Sequence, residues 1–189
     1  MKKQEIINCT ISDELTMSKR SIIITSILFS IIIYAIIGTL YSMIWDKPFW
    51  ETFFYYFDNN KLLCLLTFIA FTIVHELLHG LGFIVFAHVP WSEVKFGINY
   101  KYFTPYTDCD SILNVIQFRI VSVLPVLILG IIPTIIGMTI GSIYLVGWGL
   151  VMICCGLGDF AIIWMTRALN PKILVKSHPT KIGFVIVSN

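Results

Sequence analysis

His75, Glu76 and His79 stand in the stretch FTIVHELLHGLGFIVF. On an α-helix, positions four apart share a face about one turn apart, so both imidazoles can reach a single metal ion. Glu76 lies beside them on the adjoining part of that face. Two histidines so spaced, with a glutamate after the first, form an arrangement that binds Zn²⁺ and uses the carboxylate as general base. The metal lowers the pKa of water towards about 7, and the carboxylate can take the proton and pass it to a leaving amine. The chain has four histidines and five glutamates. Placed at random they yield the pattern in roughly 0.2% of such chains, so chance does not explain it.

The surroundings raise the stakes. A charged group at the centre of a membrane helix costs roughly 2.5–3.5 kcal/mol, which a metal in a water-filled pocket would offset. The competing reading is a hydrogen-bonded cluster without metal. A catalytic zinc takes three protein ligands and keeps a fourth position open. His88, His178, Asp108, Asp110 and Asp159 can each be the third. Asp159, in CCGLGDFAII, is the one acidic residue of a long apolar run and is flanked by Gly156 and Gly158, which admit a neighbouring helix. His79 and Asp159 each precede the same end of their helices by about nine residues, or ~13 Å. Equal depth makes Asp159 the expected third ligand, against the alternative of a carboxylate paired to a polar group. Asn114 and Arg119 are candidate oxyanion donors.

The elements that must position these residues are apolar. The chain of 189 residues is 57% hydrophobic and 13% charged, with a mean hydropathy of +0.86. Soluble domains average about 45–50% and about 25%, so the expected solvent is the bilayer. A net charge of +2 argues against a nucleic-acid partner. After a polar segment 1–20, residues 21–189 read as one membrane-embedded domain. About four α-helical spans are expected, near 21–44, 62–88, 119–139 and 142–169. The stretch DKPFWETFFYYFDNNK reads as an aromatic-rich loop, and Trp45, Phe49, Trp50 and Trp91 as interfacial anchors. Pro133, Gly137, Gly141 and Ser142 place a turn near 138–142. Alternation over SEVKFGINYKYF, from Val94 to Tyr102, predicts a strand within the loop 90–111, echoed by Ile182, Phe184 and Ile186 in the tail 170–189. A small cytoplasmic β-element at the membrane surface follows. Lysines and arginines concentrate in the N-terminal segment, the middle loop and the tail, whereas Lys47 and Lys61 share the remaining loop. That asymmetry predicts a multi-pass cell-membrane protein with both termini in the cytoplasm. Cys9, Cys64, Cys109, Cys154 and Cys155 show no paired spacing and read as reduced thiols.

With HELLHGLGF in a span, VKFG and TPYTDCD in the next loop, VLPVLILG opening the third span, GLGDF in the last and HPTKIGF in the tail, the chain resembles a family of small bacterial membrane proteins described as putative zincin peptidases. More distantly it is similar to intramembrane metalloproteases of the site-2-protease type. The likeness covers about residue 62 to the C-terminus. It implies a zinc-dependent membrane peptidase with His75, His79 and Asp159 as ligands and Glu76 catalytic, acting on a membrane protein or peptide. Where site-2 proteases often carry asparagine-proline-aspartate-glycine at the third ligand, this chain has GLGDF. The alternative function is a metal-binding membrane protein without hydrolysis, as carrier, sensor or inactive scaffold, which would have little use for Glu76.

Overall fold

The computed structural model describes residues 10–100, 104–178 and 183–188. Cys9, Tyr102 and Ile182 lie outside the described residues. After a strand β1 (Thr10–Thr16) comes α1 (Lys19–Trp45), its first turn capped by the Ser18 hydroxyl, which accepts from Ser21 N at 3.2 Å. The expected loop after it is instead a helix, α2 (Phe49–Asn59). Phe49 and Phe53, four apart, are buried on its inner face. A Cβ at Gly147 would stand 2.2 Å from the Phe53 ring, so the glycine is what admits it. Phe49 is therefore core, not an interfacial anchor.

Helix α3 (Lys61–Val85) carries the histidine pair. The next rod, Val115–Ile140, is continuous in three pieces. These are α4 (Val115–Pro125), a π-helical segment Val126–Ile131, and α5 (Ile132–Ile140). It begins four residues earlier than expected because Asn114 and Gln117 form a reciprocal capping box. Gly141, at φ 71°, turns the chain where the glycines suggested. The last apolar stretch is broken: α6 (Ile143–Cys155) and α7 (Leu157–Thr166) meet at Gly156 with a 52° bend. Three helices are thus long and apolar enough to cross a membrane, or four if the bent pair counts as one.

The β-structure is larger than a single strand. β2 (Val94–Asn99) pairs antiparallel with β3 (Thr104–Cys109). β4 (Leu113–Asn114), β5 (Leu174–Ser177) and β6 (Gly183–Ser188) join β1 in a second sheet, of order β1-β6-β5-β4. That sheet brings the N-terminal segment, the start of α4 and the tail to one end of the helices. At the other end Tyr41 Oη donates to Gly141 O, and Trp45 Nε1 to Met138 O at 2.9 Å. The β2–β3 hairpin does not stay at the sheet end. Thr104 and Pro105 share a cavity wall with Phe68 and Thr72, and Phe68 is roughly 25 Å along α3 from its C-terminus.

Two apolar clusters form the core. One joins α3, α4 and the larger sheet through Phe83, Val115, Phe118, Val121, Val175 and Phe184. The other joins α1, α2 and α6 to the π-helical segment through Tyr41, Phe49, Val126, Val146 and Leu150. His79 meets the rod at Val121, its Nδ1 3.0 Å from Val121 O.

Candidate metal centre

Helix α3 presents His75 and His79 from successive turns, their rings 4.9 Å apart and nearly perpendicular. Against them comes Asp159 from the first turn of α7. His75 Nε2 lies 3.3 Å from Asp159 Oδ2, and His79 Nε2 lies 3.3 Å from Oδ1. One donor atom from each residue falls within 4.8 Å of the others, and among the described residues this is the one such group.

The spacing suits a shared metal as well as direct ion pairs. Charge-assisted N–H···O contacts run about 2.7–2.9 Å. Ligands about 2.0 Å from a tetrahedral zinc stand ~3.3 Å from one another. The other ring nitrogen of His79 is anchored to the backbone. Nδ1 is 3.0 Å from Val121 O, and a carbonyl only accepts, so Nδ1 carries the proton. That leaves Nε2, the atom that faces Asp159, as the nitrogen that would ligate a metal. Val121 O is free for this contact because the N–H an α-helix would direct at it belongs to residue 125, a proline. His75 Nδ1 is buried and meets no hydrogen-bond partner among the described residues.

The break at Gly156 puts Asp159 in place. Asp159 N donates to Gly156 O at 3.0 Å, so the carboxylate sits in the first turn of α7, where the helix dipole favours negative charge. A Cβ at Gly156 would lie 2.1 Å from Val126 Cγ2, so only glycine lets α7 approach the rod. Gly158 differs from expectation, with nothing within 4 Å of a Cβ there.

Glu76 faces a cavity of about 370 Å³ together with Phe68, Thr72, His75, Thr104, Pro105, Met152 and Cys155. Thr107 Oγ1 lies 2.9 Å from Glu76 Oε2 and 3.0 Å from Glu76 O. The hairpin thus reaches the residue expected to move protons.

The other candidates are engaged elsewhere. Asp108 Oδ1 accepts from Cys109 N at 2.8 Å. Asp110 pairs with Lys95. The ammonium holds its carboxyl below the usual carboxylate range, and the carboxylate holds Lys95 above the usual lysine value. His178 Nε2 is 3.5 Å from Glu14 Oε2, and His88 sits in a left-handed turn, φ 57°, beyond α3. The two oxyanion candidates have structural partners. Asn114 caps α4, and Arg119 Nε donates to Thr166 Oγ1 at 3.1 Å while its guanidinium also reaches Thr166 O and Leu169 O. Burial pushes the Cys109 thiol up to about 12. It and Cys64, Cys154 and Cys155 are free.

The profile of a family described as putative zincin peptidase matches residues 68–174, the stretch that contributes His75, Glu76, His79 and Asp159. No curated protein matches the chain, and no solved structure does.

Proposed function

The chain belongs to the putative zincin peptidase family, and from that membership and the converging His75, His79 and Asp159 we propose that it is an integral-membrane zinc peptidase. It hydrolyses a peptide bond in or near the bilayer, in the manner of site-2-type intramembrane metalloproteases. The observation that carries this reading is the convergence of His75 Nε2 and His79 Nε2 on the Asp159 carboxylate, each at 3.3 Å. A donor set of two imidazoles and one carboxylate matches that of hydrolytic zinc sites.

His75, His79 and Asp159 hold the metal, and zinc when bound supplies the Lewis acidity that makes water a nucleophile near neutral pH. Glu76 takes a proton from the attacking water and returns it to the departing amine nitrogen. The cavity beside it, walled by Phe68, Pro105 and Met152, accepts an apolar substrate side chain. A helical substrate must unwind before its carbonyls can be reached. The hairpin strand nearest the site is β3, through Thr104, Pro105 and Thr107. β2 and β3 pair with no third strand among the described residues, and unpaired backbone at membrane depth demands a partner or water. An extended substrate along β3 supplies that partner. In this topology the larger sheet and both termini face the cytoplasm, in keeping with the lysine and arginine distribution.

Metal analysis of the purified protein beside Glu76→Gln tests the proposal. Both should carry about one zinc per chain, and only the wild type should cleave, with uncut substrate accumulating on the variant. Full cleavage by Glu76→Gln would refute the mechanism, and gently purified wild type without metal would refute the site. A non-hydrolytic metal carrier or sensor would show zinc in both proteins and equal function in both.

A further inference from the structure

The hairpin meets the HELLHG helix in a fixed register. Phe96 and Thr107 are direct cross-strand partners, so their side chains share one face of the hairpin. Glu76 and Gly80 are four apart and share one face of α3. The two pairs dock together. A Cβ at Gly80 would stand 2.6 Å from Phe96 Cζ, and Thr107 Oγ1 stands 2.9 Å from Glu76 Oε2. Gly80 is therefore what lets the hairpin come close enough for its hydroxyl to reach the glutamate.

We infer that Thr107 is the positioning residue for Glu76, an inference that rests on the peptidase reading. Its hydroxyl lies within hydrogen-bond reach of both the carboxylate and the main-chain oxygen of the same residue. That contact ties a side chain with three rotatable bonds to a rigid point. Freedom lost before substrate arrives is not lost again during the reaction. With Oε2 held by the hairpin, Oε1 is the oxygen left to meet the attacking water.

Thr107→Val removes the hydroxyl and keeps the shape, whereas Thr107→Ser keeps the hydroxyl. The valine variant should lose about 10–100-fold in kcat, with KM and zinc content unchanged, and the serine variant should recover most of the rate. The carboxylate stretch of Glu76, isolated as the infrared difference between wild type and Glu76→Gln, should shift in Thr107→Val and stay in Thr107→Ser. Thr107→Ala gives the same readouts should valine disturb the hairpin. Wild-type kcat in Thr107→Val, a rate above wild type, or an unmoved infrared band overturns the assignment. A shifted band in a protein that binds zinc but hydrolyses no peptide upholds the Thr107–Glu76 contact and overturns the peptidase reading instead.

Discussion

Substituting Gly156 by alanine should weaken zinc binding from a position that touches no metal. Val126 Cγ2 stands 2.1 Å from where the new methyl would be. Favourable carbon–carbon contact begins at ~3.5 Å, so the overlap is roughly 1.4 Å. Val126 is 1% exposed and, being β-branched in a helix, is confined to one preferred rotamer. The strain is relieved by moving α7 off the rod, which carries Asp159 away from His75 and His79. Metal–ligand distances hold within about 0.2 Å, so even a small part of that displacement breaks the geometry. Overpacking of this kind costs about 1–3 kcal/mol. Passed wholly to the site, that is a loss of roughly 5–140-fold in zinc affinity. Competition with a fluorescent chelator in detergent measures it. Gly156→Ala/Val126→Ala should restore affinity by removing the obstructing methyls. Gly158→Ala, with nothing within 4 Å of its Cβ, should leave affinity unchanged. Wild-type affinity in Gly156→Ala, or a double variant no better than the single, refutes the account of how α7 is placed.

Two further outcomes follow from the site and the sheet. Asp159→Ala should lose zinc and activity, while Asp108→Ala and Asp110→Ala, whose carboxylates serve the hairpin, should keep the metal; zinc retained by Asp159→Ala rules out its ligation. In intact cells, cysteines replacing Lys95 or Lys176 in a cysteine-free background should resist an impermeant thiol reagent, and one replacing Lys47 should react; labelling of the first two from outside reverses the orientation.

The chemistry of the site was more legible than the elements that hold it. Imidazoles and carboxylates in apolar runs are conspicuous because hydrocarbon leaves them few other uses, and so His75, His79 and Asp159, which the structure brings together, could be picked out without a fold. The turn at Gly141 was legible for a similar reason, since few residues but glycine adopt its backbone angles. Helix α2 was hidden because its inward face is aromatic, and an aromatic cluster between two spans reads equally well as an interfacial belt. β1 was hidden because TISDELT has weak alternation and is a strand only by pairing with β6, across the whole chain. The hairpin's depth was illegible for the same reason, because alternation reports a strand but not where the strand lies. Thr107 carried no signal of its own, since a threonine in a strand is unremarkable until a glutamate is found beneath it.

Pro125 did carry a signal, one that lay in the backbone. Straight membrane helices satisfy all their carbonyls internally and offer none to a side chain. A proline inside a helix removes one such bond, at a cost of about 3 kcal/mol or more. In this protein the freed acceptor is Val121 O, and His79 Nδ1 uses it. The break at Gly156 acts on the opposite side of the site, turning the interior of an apolar stretch into a helix N-terminus with Asp159 in its first turn. Each interruption lies beside one of the groups that face each other across the site. A bundle without them would still present two histidines on α3, but it would neither fix the tautomer of His79 nor bring a carboxylate up to it. Interruptions in otherwise unbroken apolar helices are therefore the feature by which a site of this type can be sought in a sequence, alongside the histidine pair.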